Sequence, residues 1–155
     1  MSLMDILGSE SNLQERVRED LKLRFPGILD DYELGSSNAA DLVIEQGDIV
    51  AVVELKTGDP SFSLPSSTSP RMRLLRDEIG TRFRGKIIVP VVVTNYQVQP
   101  DEKQKLEREG IKIVQLPRSM RNYRPEQFST EFIKAAGLDP GLSDQPSSPT
   151  GTTVV

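Results

Sequence analysis

The chain has no cysteine and no histidine. The first absence removes a disulfide framework, a thiolate nucleophile and a cysteine-ligated zinc site. The second removes the usual neutral-pH general base, a Ser-His-Asp triad and imidazole ligation of metals. Any metal must therefore sit among oxygen ligands, which selects magnesium, calcium or manganese. Long hydrophobic runs are also missing. The longest falls far short of a membrane span, and the N-terminus carries no signal-peptide apolar segment. A cytoplasmic location without a membrane partner is the expectation. There is no excess of positive charge either: the formal net charge is −4 and the pI about 5.0. Nucleic acid would have to be met by local basic patches rather than by a global field. The 155 residues are enough for one domain with a real core.

What is present reads as alternating helices and strands. Asn12 is placed to cap a first helix, with Glu15 at the third helical position as in a capping box. Leu13, Val17, Leu21 and Phe25 form its apolar stripe, and Pro26-Gly27 ends it. Leu29 to Gly35 reads as a short strand and Gly35 to Asn38 as a loop. Two strands follow, at about Ala40 to Glu45 and Ile49 to Lys56. Gly58 to Pro70, GDPSFSLPSSTSP, reads as a mobile loop. Ser69 then caps a second helix with Pro70 at its first position. Met72, Leu75, Ile79 and Phe83 line one face of that helix, and Gly85 ends it. KIIVPVVVTN, Lys86 to Asn95, is a central strand in which Pro90 removes a ladder donor. A helix over Pro100 to Glu109, a strand over Ile111 to Leu116 and a helix from Pro125 to Gly137 complete the pattern. The order α-β-β-β-α-β-α-β-α predicts an α/β fold with a mixed sheet and helices on both faces. Residues 1–137 form one expected domain. Residues 138–155, rich in Pro, Ser and Gly, form an expected disordered tail.

The most informative stretch is Ala39 to Gly58, AADLVIEQGDIVAVVELKTG. Gln46-Gly47-Asp48 is a turn between two apolar strands. Side chains alternate along a strand, so Val52, Glu54 and Lys56 share one face while Ala51, Val53 and Leu55 take the other. Hairpin counting places Asp41 opposite Val53 or Val52, within two residues of Glu54 in either register. An acid and a base at the end of an apolar strand are unfavourable unless paired or bound. Two carboxylates converging at a sheet edge invite a hard divalent cation, with the Leu55 backbone carbonyl as a further oxygen ligand. Lys56 on the Glu54 face is placed to orient water, to stabilise charge on a phosphate or to act as a base. Thr57 and Gly58 bring no further acid or base.

Asp41, twelve intervening residues, then Glu54-Leu55-Lys56 resembles the signature of the PD-(D/E)xK nuclease superfamily, which includes restriction endonucleases and Holliday-junction resolvases. The nominal proline is Ala40 here. The flanking ADLVI and VAVVELK, and the element order from about Leu13 to Leu116, share the resemblance. It implies a restriction-endonuclease-like core, magnesium (with manganese as a substitute) held by Asp41 and Glu54, and water assisted by Lys56. Family members often add a Glu or Gln from the first helix. Glu10, Gln14 and Glu15 compete for that place, and helical phase favours Gln14, which lies on the buried stripe.

Arg71, Arg73 and Arg76 lie in and around the second helix. Arg121 and Arg124 flank Tyr123 in a second patch. Both patches suit phosphate contacts, and Tyr123 suggests stacking. A metal-dependent nuclease acting on DNA is the leading functional expectation, and small size favours a homodimer. A non-catalytic nuclease-fold subunit in a larger protein complex is the alternative. RNA and branched substrates are not distinguished from linear DNA.

Overall fold

The computed structural model describes residues 3–34 and 39–140. Its elements are α1 (Leu3–Arg24), β1 (Leu29–Glu33), β2 (Ala39–Gln46), β3 (Ile49–Lys56), α2 (Thr68–Arg82), β4 (Ile87–Thr94), α3 (Pro100–Arg108), β5 (Lys112–Gln115) and α4 (Pro125–Ala136), with a 3-10 turn at Met120–Asn122. This is the order expected from the sequence. The expected loop at Gly35–Asn38 lies outside the described residues, as does the expected tail from residue 141 onward.

The five strands form one sheet in the order β1-β2-β3-β4-β5. The β1–β2 and β2–β3 pairs are antiparallel, and β3–β4 and β4–β5 are parallel. Short connections permit the antiparallel meander, whereas each parallel step needs a helical crossover. Crossovers of one hand that advance in one direction place their helices on the same face. α2 and α3 accordingly cover one side. Met72, Leu75, Ile79 and Leu106 pack there with Val43, Val50, Val52 and Val92. On the other side Leu13, Val17 and Leu21 of α1 and Phe128, Phe132 and Ile133 of α4 pack with Leu42, Ile44, Ala51, Val53, Leu55, Val91 and Val93. β3 therefore splits by parity as its alternation predicts. Both of its faces are buried, which is why its sequence is aliphatic throughout. Leu21 is fully buried in the α1 stripe, and truncating it to alanine is expected to cost about 2–5 kcal/mol.

Several local expectations are corrected. α1 does not start at an Asn12 cap, because the helix runs unbroken from Leu3. A preceding helical turn supplies carbonyls to the N–H groups that a capping side chain would otherwise satisfy. α2 begins at Thr68, so Ser69 and Pro70 lie inside it and Ser67 is the flanking residue. The Ser69 hydroxyl is buried and donates to the Glu109 carboxylate instead of capping. The helix ends at Arg82 rather than at Gly85. Gly85 takes φ 81° in the turn that leads into β4.

Pro90 makes no break. The β3–β4 register runs continuously through Val52↔Pro90. β5 joins β4 only from Val91 onward, so Pro90 sits where β4 has a single neighbour and a missing donor is tolerated. The loop after β3 is pinned to the segment after β4. Leu64 N–H donates to the Gln97 carbonyl at 2.8 Å and Gln97 N–H to the Phe62 carbonyl at 2.9 Å. Leu64 is buried beneath this bridge. At the far end of the chain Pro125 opens α4, and Gly137 closes it at φ 73°, the left-handed cap that glycine accepts without strain.

Candidate active site

The site lies at the C-terminal end of β3. The backbone ladder between β2 and β3 runs from Gln46↔Ile49 to Leu42↔Val53. One step further, Asp41 comes level with Glu54, one residue away from the expected register. There the ladder gives way to a side chain: the Asp41 carboxylate accepts the Leu55 N–H at 2.8 Å. In an extended strand a residue's N–H and C=O point to the same side. The Leu55 carbonyl thus also faces Asp41, while the Lys56 carbonyl turns to the other side and accepts from Asn95 N–H at 3.3 Å.

Glu54 is 4% exposed. Its Oε2 receives the Arg71 Nε at 2.7 Å and stands 3.9 Å from the Lys56 Nζ. Its Oε1 is buried and has no hydrogen-bond partner among the described residues. Burial pushes the Glu54 carboxyl above the usual carboxylate range. The Arg71 hydrogen bond opposes that shift, and the charge of neighbouring Asp41 adds to it. Two carboxylates and two cations thus meet at one strand end. The structure brings together Asp41, Glu54, Lys56 and the Leu55 backbone.

Gln14 is half-buried on α1, and its amide oxygen accepts the Thr57 hydroxyl at 2.8 Å. It meets the site through Thr57, the residue after Lys56. Glu15 is exposed, and the Glu10 side chain lies outside the described residues. Thr57 therefore does more than its lack of charge suggests, since it ties α1 to the site end of β3. Gly58 is also engaged. Its N–H donates to the Asn95 side-chain oxygen at 3.0 Å, and its carbonyl accepts from the Asn95 amide nitrogen at 2.9 Å. The signal for Asn95 was its place as the first amide after an aliphatic strand.

The arginines divide. Arg71 lies at Glu54 and also donates from Nη2 to the Ala39 carbonyl at 2.8 Å. Arg73 and Arg76 gather instead at Glu109, at 3.4 Å to its carboxylate and 2.6 Å to its carbonyl. Arg121 and Arg124 are exposed around the 3-10 turn. The Arg124 Nη1 donates to the Arg121 and Tyr123 carbonyls at 3.2 Å each. Tyr123 does not offer a stacking face. It is buried against Phe128, donates its hydroxyl to Asp20 at 2.6 Å and carries the Arg16 guanidinium over its ring.

The residues fit a hard divalent cation. The donors are all oxygen, and the unpartnered buried Oε1 of Glu54 is the kind of atom a metal satisfies. Among the described residues no three acidic side chains converge. Two carboxylates and one carbonyl suit magnesium, which keeps several waters of its own.

Comparison with solved structures places the fold. EndoMS bound to double-stranded DNA matches with a TM-score of 0.53 at 18% identity, over 72% of this chain and 45% of that one. Can2 from Sulfobacillus thermosulfidooxidans, in complex with cyclic tetra-adenylate, matches with a TM-score of 0.52 at 15% identity, over 80% of this chain and 35% of that one. The fold is restriction-endonuclease-like. The chain spans less than half the length of either neighbour. No protein-family model matches it, and no curated protein sequence does. Within the restriction-endonuclease-like frame, Asp41 and Glu54 occupy adjoining strands at one end of the sheet. No helix among the described residues is long and apolar enough to cross a membrane.

Proposed function

We propose that this chain is a magnesium-dependent nuclease that hydrolyses phosphodiester bonds, with DNA as its substrate and manganese able to replace magnesium. The observation that carries the reading is the buried, unpartnered Glu54 Oε1 beside Asp41, with Lys56 on the same strand end. Asp41, Glu54 and the Leu55 carbonyl would hold the cation. When bound, such a cation neutralises charge on the phosphate and acidifies a water. Lys56 orients the attacking water and offsets charge that builds on the phosphate oxygens. The water oxygen gives up a proton to solvent and forms the new bond to phosphorus, the ester P–O bond breaks, and the departing oxygen takes up a proton. Gln14 acts through Thr57 to hold the strand end in place. Arg71, the exposed pair Arg121 and Arg124, and more distantly Arg73 and Arg76 supply phosphate contacts. Residues 1–137 act as one domain in the cytoplasm, and a homodimer supplies two sites for a duplex.

A second reading has one observation in its favour: Arg71 already occupies Glu54 Oε2 at 2.7 Å. On that reading the chain is a non-catalytic subunit of a larger complex. Cleavage of linear, nicked and branched DNA, and of RNA, by wild type and Lys56→Ala in magnesium or manganese separates the two. The nuclease reading expects Lys56→Ala to lose about 10²–10⁴-fold in rate. Equal rates would assign the activity elsewhere. Cation binding without cleavage of any substrate would favour the subunit reading.

A further inference from the structure

Arg71 is more than a basic residue near the site. It bridges the two strands that carry the carboxylates. Nε reaches Glu54 on β3 at 2.7 Å and Nη2 reaches the Ala39 carbonyl on β2 at 2.8 Å. Glu54 is almost wholly buried, whereas the Arg71 side chain remains 35% exposed. A buried carboxylate without a partner is strongly unfavourable, and the other nearby cation, Lys56, stands at 3.9 Å, too far for a hydrogen bond. Arg71 is therefore what holds Glu54 in place while no metal is bound. The same contact sets a positive charge beside the place where the cation would sit.

We infer that Arg71 is an exchangeable counterion: it occupies Glu54 until a divalent cation binds, and is then released toward the phosphate of an incoming nucleic acid. The inference rests on the proposed nuclease reading for the identity of the site, but it concerns the order in which the site is filled. Three features support exchange over a fixed ion pair. Arg71 sits in the first turn of α2, one helical turn from Ser67, and its guanidinium is exposed enough to swing. Only Glu54 Oε2 is engaged, so Oε1 is already available to a cation before Arg71 leaves. Arginine's planar fork suits both carboxylate and phosphate, so the released group has a matching acceptor on the substrate. Arg71 is thus a positioning residue for Glu54 in one state and a phosphate ligand in the other.

The test is direct titration of manganese and of magnesium by calorimetry, with thermal melts of the same samples, on wild type, Arg71→Ala, Arg71→Gln and Asp41→Asn. Exchange predicts that both Arg71 variants bind the cation more tightly. The expected gain is about tenfold, the effect of removing one nearby charge at a dielectric between those of water and protein. It also predicts that they melt lower than wild type without metal and recover part of the difference at saturating metal. Arg71→Gln places a neutral amide N–H about where the Arg71 Nε stands and so keeps a donor for Glu54, so it reports even if Arg71→Ala does not fold. Unchanged or weaker cation binding in a folded Arg71 variant would overturn the exchange. If Asp41→Asn then loses the binding that wild type shows, the metal site itself still stands. No binding by any of the proteins would overturn both the exchange and the metal-dependent reading. Tighter binding by the Arg71 variants with no nucleic acid cleaved by wild type would retain the exchange and reject the nuclease.

Discussion

The Asp41 carboxylate accepts a hydrogen bond from the Leu55 backbone N–H at 2.8 Å. One acid thereby fixes the strand that carries the other. The contact replaces a rung of the β2–β3 ladder, which ends at Leu42↔Val53. Asparagine at position 41 keeps an oxygen for the Leu55 N–H but loses the charge. Asp41→Asn should therefore fold with nearly wild-type stability while losing divalent-cation binding. Asp41→Ala removes the acceptor as well and should lose about 2 kcal/mol. Urea unfolding of the two variants checks this, and equal destabilisation would show that the Leu55 contact contributes little.

Glu54 makes stability depend on pH in a direction opposite to Asp30, Asp59 and Glu109. Burial raises its folded pKa above the ordinary 4.5. Between the unfolded and folded values the native state holds a proton that the unfolded chain has released. Its contribution is therefore fully present below the unfolded value and is lost as pH rises through the folded one. Asp30, held low first by Lys22, and Asp59 and Glu109, held low first by Ser61 and Ser69, act in the other sense. Their contributions are present above the unfolded values and are lost on acidification. Comparison with Glu54→Gln isolates the one group. The stability of wild type relative to this variant should fall as pH rises from the ordinary 4.5 through the raised folded value. Urea midpoints across that range measure it, and a difference that is flat or rises with pH would contradict the assignment.

Much of this was legible in the sequence because it rests on local periodicity. Leu13, Val17, Leu21 and Phe25 repeat at helical spacing and are all buried. The alternation in IVAVVELK sorts β3 between two cores and puts Glu54 on the α2 side. The Asp41–Glu54–Lys56 spacing put the two acids near each other across the hairpin, but the turn read as Gln46-Gly47-Asp48 is tighter, with Gln46 paired to Ile49, so the register differs by one residue. The features that escaped depend on contacts remote in sequence. The segment after β3 reads as a loose, Ser-rich loop, yet its register is set by Gln97 and Asn95, more than thirty residues away. Ser69 has the chemistry of a cap, but Glu109 is a better partner once α3 is packed. Arg71 looks like any basic residue on a helix until Glu54 is seen beneath it. Tyr123 lies between two arginines in the chain and reads as a surface ring. α1 covers it and takes its hydroxyl on Asp20.

That last contact carries a prediction of its own. Tyr123 is 5% exposed, and burial together with the Asp20 carboxylate keeps its phenol protonated well above the ordinary range. Its hydroxyl is a donor to a charged acceptor, the stronger class of hydrogen bond. Tyr123→Phe retains the packing on Phe128 and removes only that donor. Asp20 keeps Arg16 at 3.1 Å, so no charge is stranded. The loss should be about 1.5 kcal/mol in urea unfolding, with no change in cation affinity. A larger loss together with weakened cation binding would mean that the α1–α4 side of the protein is coupled to the site.

Gly58 offers the sharpest test of how the strand end is held. A β-carbon at this position would lie 2.2 Å from the Tyr96 hydroxyl oxygen and 2.8 Å from the ring carbon that bears it. Neither distance is sterically possible, so Gly58→Ala must displace Tyr96 or the backbone. The backbone is tied by the paired Gly58–Asn95 hydrogen bonds at 3.0 and 2.9 Å, two residues beyond Lys56. If Tyr96 is the obstacle, removing its ring should relieve the clash. Tyr96→Ala alone loses a half-buried ring that packs against the α2-side core. The double variant should therefore be less destabilised than the sum of the two single variants, by about 1–2 kcal/mol of coupling. A thermodynamic cycle on the four proteins measures this, with cation affinity followed in parallel because a shift at Gly58 moves the Lys56 backbone. Simple additivity would mean that the backbone yields instead of the ring, and cation affinity should then fall in every protein that carries Gly58→Ala.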